Sequence, residues 1–382
     1  MISLGPDLAT RQAQHRYRTR RVLEGPQGAD VIVDSQRYVS FCSNDYLGLA
    51  NHPAIVSAFQ SAAERYGVGS GAAHLICGHG TAHHALEEEL AAFTGRPRAL
   101  LFSTGYMANL GIIATLAQHG DGVFEDRLNH ASLIDGALLS RGQLHRYPHH
   151  DLTSLARALS STEYRRKLIV SDGVFSMDGD LAPLPDLAAL AQQHNAWLMV
   201  DDAHGFGVLG QNGGGTVEHY ALSIDEVPIL MGTLGKAFGS FGAFVAGSEE
   251  LIETLIQQAR SYIYTTALPP AIAEASRASL GVMQNESWRR EHLRALIARF
   301  RAGAQQLGLP LMPSPTPIQP IILGTDEKAM AISTALQQRS ILIPAIRPPS
   351  VPDGTARLRV SLSAAHTESH IDHLLETLAT IL

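Results

Sequence analysis

A chain of 382 residues is longer than one small domain, and a prior of about 150 residues per domain sets the expectation at two or three. Its 45% hydrophobic and 17% charged composition, with 34 glycines and 19 prolines, excludes disordered and collagen-like chains and reads as a packed α/β protein rich in tight turns. A formal net charge of −7 argues against a nucleic-acid or anionic-membrane role for the whole chain.

The opening segment, MISLGPDLATRQAQ, lacks the charged-then-apolar layout of a signal peptide. No run approaches the roughly 20 apolar residues that span a bilayer. Two cysteines, Cys42 and Cys77, make no disulfide framework, so a soluble cytoplasmic protein is expected. The first 45 residues read as an arm: a polar, Arg-rich helical stretch, then short strands around VIVD and YVSF. Arg16, Arg18, Arg20 and Arg21 lie close together there, either as a solvated helix face or as a site for an acidic ligand.

From Thr81 the pattern turns helical, because Leu86, Leu90 and Phe93 recur at i, i+4 and i+7 until Gly95 and Pro97. Short apolar runs then alternate with helical patterns: ALLFS (99–103), GVFED (122–126), KLIVSD (167–172), WLMVDD (197–202), PILMGT (228–233) and GAFVAG (242–247). Continuous hydrophobicity marks strands buried on both faces, which predicts a mostly parallel sheet covered by helices over 46–270. Beyond Pro269-Pro270, long helical stretches at 271–306, IQPIILG, a helix around 326–338, ILIPAI, ARLRVSL and a closing helix predict a smaller α+β domain over 271–382.

In open α/β sheets ligands collect outside the carboxyl ends of the strands, and several polar residues fall at those ends. Gly105 turns ALLFS into a helix whose start either seats a phosphate or is an ordinary strand-to-helix turn. Asp201 ends an apolar run and, as a desolvated carboxylate, calls for a cationic partner such as a protonated pyridine nitrogen. His204 follows three residues later; such a pair also caps helices. Lys236 stands in Gly-Thr-Leu-Gly-Lys-Ala-Phe-Gly, either a surface lysine or a desolvated Schiff-base nucleophile. Carboxylate, phosphate seat and lysine together are the parts of a pyridoxal-phosphate site. Cys77, His79, His83 and His84 fall within eight residues, and His79 with His83 forms an i, i+4 pair; the expectation is nonetheless no metal. His149-His150 reads as a polar loop.

Six separated motifs in order resemble the α-oxoamine synthases, fold-type-I pyridoxal-phosphate enzymes, over essentially the full chain. They are SNDYLGLA (43–50), DRLNHASLIDGA (126–137), GVFSMDGDLAPL (173–184), VDDAHGFGVLG (200–210), GTLGKAFG (232–239) and IRPPSVPDGTARLR (346–359). The resemblance implies that Lys236 holds the cofactor and that Asp201 pairs with its pyridine nitrogen. It places His204 and Ser176 near the phenolic oxygen and His130 against the ring. It assigns Gly105, Tyr106 and Thr233 to the phosphate. It gives Arg347 the grip on an α-carboxylate, Arg18 and Ser350 the acyl substrate, and Asn44 and Tyr264 secondary contacts. Decarboxylative condensation of an amino acid with an acyl thioester is the implied reaction. The IRPPSVPDGTARLR run favours L-alanine with a pimeloyl thioester, of CoA or of an acyl carrier protein, over glycine with acetyl- or succinyl-CoA; a fold-type-I aminotransferase is the more distant alternative. A homodimer is also implied, with Tyr264-Thr265-Thr266 reaching a partner. Two departures stand out: Ala72, Ala73 and His74 follow GSG where relatives carry smaller or different residues, and Asp172 replaces a glutamate.

Overall fold

The computed structural model describes residues 4–14 and 16–382. It divides into two compact units, residues 52–176 with 181–287, and residues up to 51 with 177–180 and 288–382.

The first unit is built on a seven-stranded sheet whose strands, in chain order, are β1 (Arg98–Phe102), β2 (Gly122–Asp126), β3 (Gln143–Tyr147), β4 (Lys167–Asp172), β5 (Trp197–Asp201), β6 (Ile229–Thr233) and β7 (Ala243–Gly247). Their spatial order is β1-β7-β6-β5-β4-β2-β3. Only β7 runs against the rest, pairing antiparallel with β1 and β6. The carboxyl ends of the other strands therefore share one edge, and the register there sets Asp172 of β4 opposite Asp201 of β5. Alternation along the strands feeds two cores. Leu168, Val170 and Met199 pack with Ile112, Ile113 and Leu133 of the helices Gly105–Leu116 and Ala131–Ser140. Ile169, Leu198 and Val200 pack with Leu155, Leu187 and Ala191. Each such aliphatic chain, fully withdrawn from water, contributes roughly 1.5–3 kcal/mol, which anchors the strand ends that carry the site.

The helix predicted after Thr81 spans Thr81–Thr94 and ends at Gly95, whose φ of 64° is the left-handed conformation that glycine adopts without a Cβ penalty. The strand β3 was not anticipated. Its sequence QLHRY is polar and sits at the sheet edge, where one flank needs no apolar partner.

Two expected boundaries move. Pro269-Pro270 does not open the second unit: Pro270 occupies the first turn of helix Pro270–Asn285, where a missing N–H costs nothing. That helix buries Ala271, Ala275 and Leu280 while packing on the helices Pro53–Tyr66 and Thr81–Thr94, so the division falls at 287/288. The N-terminal arm is likewise no separate unit. Its hairpin of Asp30–Val33 and Gln36–Ser40 pairs in parallel with Ile341–Leu342 from the C-terminal part. In the same unit Ile318–Gly324, Ala356–Ser361 and Ala345–Ile346 form an antiparallel sheet, with helices Trp288–Gln306, Asp326–Gln337 and Glu368–Ile381. Residues 177–180 belong here because Arg357 pairs with Asp178, and Ser314 and Thr316 donate to the Gly179 carbonyl at 2.8 and 2.9 Å. No helix among the described residues is long and apolar enough to cross a membrane.

Candidate active site

The carboxyl edge of the seven-stranded sheet gathers the predicted cofactor residues of the first unit. Lys236, in the turn after β6, places Nζ 2.9 Å from Nε2 of His204, in the turn after β5. Asp201, the last residue of β5, is buried. Its Oδ1 accepts from the Ala203 N–H at 3.0 Å and its Oδ2 from Nδ2 of Asn109 at 2.7 Å. It forms no ion pair among the described residues.

Asn109 was not singled out from the sequence. It lies on the helix Gly105–Leu116 and spends its second amide hydrogen on Oγ of Ser132, 2.8 Å away. Ser132 Oγ is in turn 2.7 Å from Nδ1 of His130, which also accepts the Ser132 backbone N–H at 3.3 Å. Because Nδ1 accepts the Ser132 backbone N–H it carries no proton, so the Ser132 hydroxyl donates to it as well and the proton of a neutral His130 sits on Nε2. His130 thus caps the helix Ala131–Ser140 and belongs to the network at once. Its backbone N–H donates to Asp172 Oδ2 at 2.7 Å.

Burial lowers the pKa of His130 from its ordinary value, with Asp201 opposing and Lys236 adding to the drop. Burial and then Asp201 raise Asp172 well above the usual carboxylate range. Asp202 is pushed up to about 8, first by burial, against hydrogen bonds from Thr216. Asp172 and Asp202 are thereby biased neutral beside Asp201.

At the start of the Gly105–Leu116 helix, Thr104 caps through the Met107 N–H at 3.2 Å. Tyr106 is exposed, donates its hydroxyl to Asp135 and meets the His130 ring edge-on at 6.5 Å. The Thr233 hydroxyl is engaged locally, donating to the Gly242 carbonyl at 3.0 Å and accepting the Gly235 N–H at 3.3 Å. Ser176 sits half-buried in the turn after β4. Tyr264 is 70% exposed and stacks under Arg260 at 4.9 Å.

The remaining predicted residues lie in the other unit. A cavity of about 510 Å³ is lined by Arg16, Arg18, Arg21, Arg347 and Ser350, among others. Arg18 reaches Ser350 Oγ at 3.5 Å, and burial lowers Arg347 from its ordinary value, with Asp326 opposing and Arg18 adding. Arg16 is committed to Asp353 at 2.8 Å and Arg21 to Gln337 at 2.6 Å. Asn44 is not part of this lining; its Oδ1 accepts from Tyr46 at 3.1 Å and Arg359 at 3.2 Å.

The residues fit pyridoxal phosphate. Asp201 is a buried, hydrogen-bonded carboxylate without an ion pair, the condition that a protonated pyridine nitrogen meets, and a lysine with a histidine neighbour stands on the adjacent strand end. Residues 36–378 match the family of class I and II aminotransferases. A serine palmitoyltransferase of Sphingomonas wittichii superposes with a TM-score of 0.94 at 29% identity, over 98% of this chain and 96% of that one. Sheet, site and family together define a fold-type-I pyridoxal-phosphate transferase.

The 8-amino-7-oxononanoate synthase of Cellvibrio japonicus is 63% identical over 100% of this chain and 96% of its own length, and that of Nitrosococcus oceani 62% identical over 98% and 100%. The 8-amino-7-oxononanoate synthase of Francisella tularensis superposes with a TM-score of 0.80 at 35% identity, covering 90% of this chain and 97% of that one. The chain belongs to the 8-amino-7-oxononanoate synthase family.

Proposed function

We propose that this enzyme condenses L-alanine with a pimeloyl thioester, releasing the thiol and CO2 and forming 8-amino-7-oxononanoate for biotin biosynthesis. The observation that carries the reading is the Lys236–His204 and Asp201–Asn109–Ser132–His130 arrangement at one sheet edge, in a chain more than 60% identical to synthases of that name.

Pyridoxal phosphate supplies the electron sink for cleaving bonds at the amino-acid Cα. Lys236 would hold it through Nζ and, once freed, would take and return the Cα proton at that atom. Asp201 keeps a positive charge on the pyridine nitrogen, and the Asn109 amide fixes the carboxylate's direction. His204 orients the lysine amine. His130 presents an Nε2–H donor, held in that tautomer by Ser132, to a carbonyl oxygen of the substrate. Gly105 and Tyr106 at the start of the helix Gly105–Leu116, the Thr233 turn and Ser176 serve the phosphate and the phenolic oxygen.

Arg347 grips a carboxylate through its planar fork, and Arg18 with Ser350 takes the acyl chain in the arginine-lined cavity. The substrate suits that cavity: alanine and the pimeloyl chain each bring a carboxylate. Asn44 supports the site by holding Arg359. Tyr264, exposed here, reaches a second copy in a homodimer, and the reaction takes place in the cytoplasm. The acyl donor is the CoA or the acyl-carrier-protein thioester.

Thiol release tests the reading, with L-alanine or glycine offered against pimeloyl-, acetyl- and succinyl-CoA and pimeloyl-acyl carrier protein. Release confined to alanine with a pimeloyl donor is expected. Release with glycine and a short acyl-CoA would overturn the substrates, and transamination without thiol release would overturn the reaction.

A further inference from the structure

We propose that His79, His84 and Glu87 form a binding site for one divalent transition-metal ion, separate from the condensation chemistry. One ligand atom from each lies within 4.8 Å of the others. They line a cavity of about 420 Å³ in the first unit.

The donor set is two imidazoles and a carboxylate. It suits zinc, cobalt or nickel, whereas calcium and magnesium prefer all-oxygen shells. His84 and Glu87 stand three residues apart on the helix Thr81–Thr94 and so share a face. His79 comes from the turn just before that helix. Its Nε2 is 3.9 Å from Glu87 Oε2, too long for a hydrogen bond. Zinc binds such ligands at roughly 2.0–2.2 Å, so an ion between them needs only a small closing movement of the side chains.

Outer contacts already aim two of the ligands. Nδ1 of His79 is 3.0 Å from Nδ1 of His74, a partner that leaves Nε2 for the ion. Glu87 Oε1 accepts the Leu101 N–H at 2.9 Å, which turns Oε2 toward His79. Such partners of the ligands orient metal sites generally and add to their affinity. Glu87 is only 13% exposed, so the alternative, an unshared carboxylate beside a histidine, leaves it poorly compensated. His84, 65% exposed, can swing; it now lies 3.3 Å from Glu88, which could supply a fourth ligand in place of water. Arg98 also lines the cavity and opposes a cation, but it is drawn to Glu253 at 3.3 Å.

The histidine and cysteine run visible in the sequence is not the ligand set. His83 spends both ring nitrogens internally, on the Gly80 N–H at 2.9 Å and the Leu268 carbonyl at 2.6 Å. Glu87 replaces it. His74, one of the departures after GSG, acquires a role as the partner of a ligand.

The test is calorimetric titration of the tag-free holoenzyme, stripped with chelator, with Zn2+, repeated with Co2+ while its visible absorption is recorded. One ion per chain is expected, with cobalt bands of nitrogen and oxygen ligation. Glu87→Gln and His84→Ala should each lose that equivalent, and His74→Ala should weaken it about 10–100-fold. A His149→Ala control should leave it intact. His84 is a surface residue, so its variant will fold, and its cofactor absorbance will report that. No binding at a large molar excess, or unchanged stoichiometry in His84→Ala and Glu87→Gln, would overturn the site.

Discussion

Two regions of this molecule handle charge in opposite ways. At the carboxyl edge of the large sheet, Asp201, Asn109 and Ser132 are buried and joined by hydrogen bonds of 2.7 and 2.8 Å, which set the Asp201 carboxylate and the Ser132 hydroxyl. In the other unit, Arg18 and Ser350 are exposed and only 3.5 Å apart at their nearest approach, around a cavity of about 510 Å³. The first region fixes directions before any ligand arrives, as an electron-sink cofactor requires. The second sets exposed guanidinium groups around an open cavity, and on the proposed reading they take a carboxylate, trading preorganisation for tolerance of a flexible chain.

Substitutions in the two regions should therefore differ in kind as well as size. The largest effect should belong to Lys236→Ala, which on the proposed reading removes both the attachment and the proton carrier: thiol release should fall about 10²–10⁴-fold or to background. Retention of near-normal turnover would remove Lys236 from the reaction. Next comes Asp201→Asn, expected to cost about 10²–10³-fold in kcat with a smaller change in cofactor affinity. An Asn variant with normal kcat would show that its charge does not matter.

Asn109→Ala leaves a buried carboxylate oxygen unsatisfied, a cost of about 1–3 kcal/mol. It should lower kcat and move the pH profile of the bound cofactor's absorbance, while the ¹⁵N signals of His130 lose their single-tautomer pattern. Stability loss alone, with profile and tautomer unmoved, would reduce Asn109 to packing. In the open region, Arg347→Lys should act on KM for alanine, raising it roughly tenfold as one arm of the bidentate fork is lost. A pure kcat effect would place Arg347 with the preorganised group instead.

The smallest effect on activity should come from Glu125, a buried carboxyl of β2 without a hydrogen-bond partner among the described residues, held at about 8 by burial. Between the unfolded value near 4.5 and 8 the folded chain keeps a proton that the unfolded chain has lost. Stability therefore falls as pH rises through that window, by on the order of a few kcal/mol. Glu125→Gln should flatten this dependence in denaturant titrations at pH 5 and 8 and leave turnover intact. An unchanged slope would assign the pH sensitivity to other groups, such as Asp202.

How legible each region was follows from the same contrast. The apolar runs at 99–103, 122–126, 167–172, 197–202, 228–233 and 242–247 are all strands, because sheet burial on both faces leaves an unambiguous signature. Once the strand ends were located, Asp201, His204 and Lys236 stood out as polar residues where apolar runs stop. Asn109 did not, although a lone amide in the apolar GYMANLGIIATL demands buried partners, which was the available signal. Its partners are 23 and 92 residues away, distances that no local pattern encodes. The unit boundary at 287/288 was hidden for a similar reason: the placement of helix Pro270–Asn285 is decided by what it packs on, while its proline pair looks like punctuation.

The most direct test of the central claim is borohydride reduction of the purified holoenzyme, followed by peptide mass mapping. A single pyridoxyl adduct on Lys236 is expected, with absorbance that titrates differently in Asp201→Asn and Asn109→Ala. An adduct on another lysine, or none in a protein that still turns over, would contradict the site described above.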